Sequence, residues 1–561
     1  MRIPGQRCPA CHEDTHEFTA HWSKRSLLPK ARQIHDVKVA TGTVKSGLSC
    51  HMYLQFATSC KSLCHAKPPQ FRKEPPMHSF SSDRVNSAVP HSLRAQYHVT
   101  APQQWLNDPQ RPFYHGHECN MYYLYSSSYY LPGEWRHLVS HDHVMFEDQG
   151  IAIHLHEGLG VWSGSCVVDK DGTAGFGKNA ILVFATQPSH GDDYQQEQYL
   201  WHSSDNGNTF SRCEKPVISN TDHSNWFRDP KIAWDEDERR WIAAIGRDHS
   251  VALYRSANLR VWQYLSTFTY QGEDIGGVEC PDLFSMVADD GTTHWIIAGS
   301  MRGVLAGKTN TYAYWIGRFI DHEFVPDHEA PKWLDEGWDW YAAVTWHNPN
   351  DGRRYAVGWM NNWDYAARTV PTDATDNFNG MLSIVRTIRL ASNGDEYELL
   401  SQPVETLDSY FSQNLIIEDM AVQGDRQLAF SGTAYRHTAT IDRSSAEKAS
   451  IRVGGSVDGS RYCEFGLDSA GFYMDRSHCE RRDFPFKPWT LSRSEIADEA
   501  GPIEIIAFVD RQSVEVFVAE GRHVHSDQIY FIEGDEHVSL HAEGGEALFT
   551  DIRIASWSGV A

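Results

Sequence analysis

From about residue 90 onward the apolar residues of this chain fall in short runs without helical spacing. Met121-Tyr122-Tyr123-Leu124-Tyr125, Ala180-Ile181-Leu182-Val183-Phe184-Ala185 and Trp241-Ile242-Ala243-Ala244-Ile245-Gly246 are examples. Polar turn stretches such as Asp205-Asn206-Gly207-Asn208 and Asp235-Glu236-Asp237-Glu238 separate such runs, which predicts strands joined by hairpins. A loose repeat overlies the pattern. A strand runs into a Ser, with Asp or Asn two residues on and a bulky aromatic beyond: Ser140…Asp142…Phe146, Ser203…Asp205…Phe210, Ser256…Asn258…Trp262. Self-similar β units spaced 63 and 53 residues apart predict propeller blades, which bury their faces only against one another. Near Ser401-Gln402-Pro403 the pattern changes. Glu504-Ile505-Ile506-Ala507-Phe508-Val509-Asp510 and Ser513-Val514-Glu515-Val516-Phe517-Val518 alternate as strands of a sandwich do. The expected organisation is all-β: a propeller over 90–400, a linker at 401–411 and a β-sandwich over 412–561.

Composition narrows the partners. Net charge is −24 and unevenly placed: residues 1–76 hold 12 Lys/Arg against 5 Asp/Glu, and the other 485 hold 38 against 69. An acidic body argues against nucleic acid or anionic membrane as partner and suits a neutral substrate. Aromatic residues make up 12% of the chain, enough both to fill a β core and to stack on sugar faces. No run of 18 apolar residues occurs, so no membrane-spanning helix is expected. The N-terminus lacks the apolar stretch of a secretory signal and no Asn-X-Ser/Thr acceptor occurs, so a cytoplasmic location is expected, with secretion left open.

Five of the 11 Cys lie in the first 64 residues. Cys8-Pro9-Ala10-Cys11-His12 has haem-attachment spacing, and Cys60 and Cys64 with His51 and His65 have the residue types of a zinc site. Residues 1–89 lack periodic hydrophobicity, so a poorly ordered basic extension is the expectation there, ahead of either metal reading.

Three short segments carry the chemistry: Trp105-Leu106-Asn107-Asp108-Pro109, Phe227-Arg228-Asp229-Pro230 and Val278-Glu279-Cys280-Pro281-Asp282. Each alone reads as an ordinary turn, ion pair or loop acid. Together they supply what cleavage of a glycosidic bond needs: a nucleophile, a general acid and an anchor for hydroxyls. Acid and nucleophile must differ in pKa, the one raised by apolar surroundings, the other held down by hydrogen bonds. Asp229 beside Arg228 is expected to stay ionised, and Glu279 after Ile275-Gly276-Gly277-Val278 to hold its proton.

The ordered set resembles glycoside hydrolase family 32, the invertase, inulinase and levanase family. The family's Trp-Met-Asn-Asp-Pro matches Trp105–Pro109 with Leu106 in place of Met, and its upstream His and Pro match His98 and Pro102. Its aromatic-Ser-Gly-Ser matches Trp162-Ser163-Gly164-Ser165, its Arg-Asp-Pro matches Arg228-Asp229-Pro230, and its Glu-Cys-Pro-Asp matches Glu279-Cys280-Pro281-Asp282. Phe508 to Phe517 resembles a signature of the family's sandwich. The resemblance implies a five-bladed β-propeller catalytic domain followed by a C-terminal β-sandwich, and retaining release of terminal β-fructofuranosyl units from sucrose or fructans. It implies Asp108 as nucleophile, Glu279 as acid/base, and Arg228 with Asp229 on fructosyl hydroxyls. Asn107, Trp105, Trp162 and Ser163 are expected to line the pocket, with Asp339 as a further lining candidate and Asp282 behind the substrate. No metal or organic cofactor is expected.

Two departures, Gln110-Arg111 after Asp-Pro and Ser126 at the end of the next strand, are expected near the sugar-binding rim. The Trp-Leu-Asn-Asp-Pro-Gln-Arg form and Trp359-Met360-Asn361-Asn362-Trp363-Asp364-Tyr365 look closer to levanases and levan fructotransferases than to plant or yeast invertases. Fructosyl transfer through the same intermediate is therefore the main alternative. An inverting arabinan-type glycosidase and a non-catalytic fructan-binding protein are further ones.

Overall fold

The structure, a computed structural model, describes residues 92–559 apart from 129–130, 190–194, 395, 444, 480–486 and 497–500. The readings made for residues 1–89, including both metal readings, lie outside the described residues. Among the described residues no helix is long and apolar enough to cross a membrane.

Five antiparallel sheets surround one axis. Their innermost strands are Gln104–His115, Gly164–Asp169, Arg228–Asp235, Glu279–Val287 and Tyr341–His347. Each of these strands packs beside the next, and the fifth returns to the first, which closes the ring. In each blade the following strands pair outward in chain order, so sequence neighbours are spatial neighbours. A parallel bridge, Arg111 to Ser165, links the first two blades, and Gln104-Trp105 pairs with Phe378-Asn379 of the fifth. The chain is thus a five-bladed propeller. Blades are covered on both faces, which is why strands such as Ala180–Pro188 read as continuous apolar runs.

The Ser…Asp/Asn repeat marks the corner after the third strand of blades 1–3. Ser140, Ser203 and Ser256 each end that strand, and their hydroxyls accept the backbone N–H of His143, Gly207 and Leu259 at 2.9, 2.8 and 2.9 Å. The Asp or Asn two residues on accepts further turn N–H groups, such as that of Met145 by Asp142 at 2.9 Å. What repeats in sequence is therefore a polar corner that ends the strand.

After the last blade strand (Glu396–Pro403) and a 3-10 turn (Glu405–Tyr410), a ten-stranded sheet folds on itself as a β-sandwich. Two 21-residue strands, Phe411–Ser431 and His537–Trp557, run its length. Its core is aliphatic and aromatic, with Tyr435, Ile441, Val453, Phe465, Ile505, Val516 and Phe549 fully buried. The hairpin of Ile503–Asp510 and Ser513–Val518 docks on the propeller through acids. His98 lies between Asp510 and Glu515 at 2.9 Å from each, and Arg386 bridges Glu515 (2.6 Å) and Asp335 (2.8 Å). Burial opposes a charge on His98, but the hydrogen bonds to Asp510 and Glu515 outweigh it and raise its pKa to about 9. The His that carries part of the family resemblance thus belongs to the joint between propeller and sandwich.

Candidate active site

All five inner strands begin at the same end of the channel, and the chemistry-bearing residues sit at or near their starts. Asn107 and Asp108 come from blade 1, Ser163 immediately precedes the strand of blade 2, and Arg228 with Asp229, Glu279 and Tyr341 open blades 3, 4 and 5. Four of these starts, those of blades 1, 3, 4 and 5, are irregular. The pairing register shifts between Leu106 and Pro109, between Glu279 and Asp282, and between Tyr341 and Val344. Asp229, Cys280 and Ala342 take left-handed backbone, with φ of 60°, 45° and 49°. Bulges of this kind re-aim a side chain, and non-glycine residues hold such φ values only where the surroundings impose them. Pro109, Pro230 and Pro281 follow at the same level and withhold a donor from the ladder there.

Asp108 is buried at 8% exposure, yet both oxygens are held. Ser163 donates its hydroxyl to Oδ2 at 2.5 Å and Asn107 donates its amide to Oδ1 at 3.0 Å. Trp105 donates its indole N–H to Asn107 Oδ1 at 3.0 Å. The Cys280 thiol lies 3.7 Å from Asp108 Oδ2, while its backbone N–H donates to Asp229 Oδ2 at 3.0 Å. The backbone N–H of Asp229 donates to Thr186 Oγ1 at 2.8 Å.

Glu279 stands between its neighbours' first residues. Arg228 Nη1 donates to Oε1 at 3.1 Å, Tyr341 donates its hydroxyl to Oε2 at 2.9 Å, and the Trp363 indole also donates to this carboxylate. The Arg228 guanidinium lies over the rings of Trp226 (4.2 Å) and Trp162 (5.5 Å), a cation–π arrangement that fixes its plane.

Three carboxylates share one desolvated pocket, and burial raises all three. Burial pushes the Asp108 pKa up against the hydrogen bonds from Ser163 and Asn107. Burial also raises Glu279, opposed by Arg228 and Tyr341 and aided by Asp108. Asp229 rises to about 7, because burial and the charges of Glu279 and Asp108 outweigh Arg228. The expectation that Arg228 keeps Asp229 ionised is therefore corrected: its only hydrogen bond to a carboxylate among the described residues goes to Glu279. The expectation of a depressed Asp108 is corrected for the same reason, since burial exceeds its two donors.

Residues 98–403 match the family described as Glycosyl hydrolases family 32 N-terminal domain, and residues 405–556 match Glycosyl hydrolases family 32 C terminal. The chain belongs to glycosyl hydrolase family 32. It is 38% identical over 478 residues to a levanbiose-producing levanase of Bacillus subtilis (strain 168), covering 83% of this chain and 91% of that relative. It is 40% identical over 387 residues to one of Geobacillus stearothermophilus, covering 67% and 96%. Among solved structures, exo-inulinase from Aspergillus awamori superposes with a TM-score of 0.75 at 25% identity, covering 84% of this chain and 98% of that one. This family 32 chain is a glycosidase.

Within the family 32 propeller the expected residues do not all reach the pocket. Asp339 is corrected: it is fully buried and joins propeller to sandwich, accepting from Arg476 at 2.6 Å, from Gln528 N–H at 2.8 Å and from the Tyr365 hydroxyl. Trp105 is 5% exposed and donates its indole N–H to Asn107, the residue beside Asp108. The rim expectation for the two departures is also corrected. Gln110 is fully buried beneath the site, donating to Asp108 O (2.9 Å) and accepting from Gly164 N–H (2.7 Å). Arg111 points down the channel to the Ile232 carbonyl, and Ser126 is buried with its hydroxyl on Ser128 O at 2.7 Å. Tyr341, Trp226, Trp363, Thr186 and Cys280 were not anticipated as site residues. Tyr341 had a signal, since it opens the fifth inner strand as Glu279 opens the fourth.

Proposed function

We propose that this chain hydrolyses the β-fructofuranosyl linkages of fructans, levan foremost, from the non-reducing end and with retention at the anomeric carbon. The observation that carries the reading is the pairing of Asp108, oriented by Ser163 and Asn107, with Glu279, held between Arg228 and Tyr341 at the same channel mouth. Asp108 attacks the anomeric carbon while Glu279 gives its proton to the departing oxygen, forming a fructosyl ester and a free sugar hydroxyl. Glu279, now a carboxylate, then takes a proton from water as the water oxygen displaces Asp108. Burial favours the protonated Glu279 that the first step needs, and three donors, Arg228, Tyr341 and Trp363, hold the carboxylate that the second step needs. Arg228 and Asp229 stand beside both groups, where they would grip fructosyl hydroxyls.

The names of the similar relatives favour levan and favour hydrolysis over fructosyl transfer. Two of them are named for producing levanbiose, which supports a second reading in which a two-unit product leaves. A time course on levan, inulin and sucrose decides. The proposal expects fructose as the earliest product, with levan the fastest substrate, and early levanbiose would establish the second reading. Accumulating oligofructans or a difructose anhydride, with little free sugar, would overturn hydrolysis.

A further inference from the structure

Beyond the pocket the same inner strands carry a second polar cluster deeper in the channel. Arg111 follows Asp108, Lys231 follows Asp229, Asp282 follows Glu279 and Thr345 follows Tyr341. Asp282 is the one carboxylate that acts on Arg111, Lys231 and Arg354 together among the described residues. It is 1% exposed and already saturated. Oδ1 accepts from the Lys231 ammonium and from Leu283 N–H at 2.9 Å, and Oδ2 accepts from Tyr312 OH at 3.2 Å and Thr345 N–H at 2.9 Å. Four donors fill the lone-pair sites a carboxylate offers.

The two guanidiniums are left with neutral acceptors. Arg111 reaches across the channel to the carbonyl of Ile232, and Arg354, lying 4.0 Å over the Phe284 ring, donates to Thr345 Oγ1 at 3.0 Å. Lys231, 4% exposed, also donates to Thr345 O at 3.0 Å. No ion pair reaches either Arg among the described residues. Three cations thus share one saturated carboxylate in a desolvated place, where excess charge is costly. Arg111 and Arg354 keep part of their surface open. The far mouth continues the sign: exposed His347 is flanked by Arg354, Arg111 and Lys170, with Asp351 the opposing charge.

We infer that the propeller channel binds a small inorganic oxyanion of the phosphate and sulfate class, held by Arg111 and Arg354 with Lys231 behind them. A guanidinium pair matches the geometry of such an anion, and two negative charges balance the two excess positive ones. Burial lowers the Lys231 pKa to about 7 despite Asp282, with Arg111 and Arg354 adding to the fall, and a bound anion would offset the same excess charge. The site lies apart from the proposed catalytic pair and does not depend on that reading.

Calorimetric titration of the full chain with inorganic phosphate at constant ionic strength tests it, alongside thermal unfolding. The expected result is one saturable site per chain and a rise in Tm of a few degrees that follows occupancy. Arg354→Gln is expected to weaken binding about 10-fold or more. Should that variant not fold, the exposed Lys170→Gln is expected to weaken it about twofold by removing charge at the mouth. Absence of saturable binding to the wild-type chain, or unchanged affinity in a folded variant, would overturn the inference.

Discussion

At the mouth of the channel three carboxylates, Asp108, Asp229 and Glu279, gather near one guanidinium, Arg228, whose hydrogen bond goes to Glu279. A few residues further along the same strands the ratio inverts, and Arg111, Lys231 and Arg354 share Asp282. The backbone hardly distinguishes the two levels: both are built from five parallel inner strands that converge on one axis. What differs is the order of side chains along each strand and the bulge that separates the levels. The register shift between Glu279 and Asp282 turns the first acid toward the pocket and sends the second down the channel. Environment then sets chemistry. Glu279 and Asp282 are three residues apart, yet burial wins over the donors at Glu279, whereas Lys231 and Arg354 hold Asp282 below the usual carboxylate range despite burial.

Removing the acids at the mouth should break function before it touches the fold. Asp108→Asn is expected to lower kcat/KM by about 10⁴-fold or more with an unchanged Tm at acid pH, because no covalent intermediate forms. Residual turnover within about tenfold of wild type would exclude Asp108 as nucleophile. Glu279→Gln is expected to cost about 10²–10⁴-fold on fructans but far less for fructosylation from an activated aryl fructoside, whose leaving group needs no proton. Equal losses on both substrates would take the acid role from Glu279.

Smaller effects sharpen the contrast through stability. The Asp229 pKa is about 7 in the fold against 3.8 unfolded. Between those values the unfolded chain has released a proton that the folded chain retains, so this group costs stability progressively as pH rises from about 4 to 7. Asp229→Asn should therefore raise Tm at pH 7 by a few degrees, converge with wild type near pH 4, and still impair catalysis. His98 has the opposite sign. Its pKa of about 9 against 6.5 unfolded contributes stability that is fully present below about pH 6.5 and lost as pH rises through about 9. His98→Gln should lower Tm more at pH 6 than at pH 10, the difference reflecting roughly 1–3 kcal/mol. A pH-independent loss would mean that His98 matters only for packing.

Much of this was legible in the chain itself. The blade corners after Ser140, Ser203 and Ser256 carry their own polar signal because one hydroxyl must accept a turn N–H. The acids were readable because each has a Pro one or two residues on, which marks the strand irregularity at that level. Residues that act across blades were not readable. Nothing local in Gln110 says that it braces Asp108 and Ser163, and nothing in Asp339 says that Arg476, 137 residues on, claims it. The charge state of Asp229 was misread for the same reason, since Arg228 precedes it in sequence but turns to Glu279 in space.

The central claim is a covalent fructosyl–Asp108 ester formed and resolved with two inversions. Methanol offered as the acceptor during fructan cleavage captures the stereochemistry, and NMR of the initial product reads it. Retention predicts methyl β-fructofuranoside as the first methanolysis product; methyl α-fructofuranoside appearing first would contradict the account.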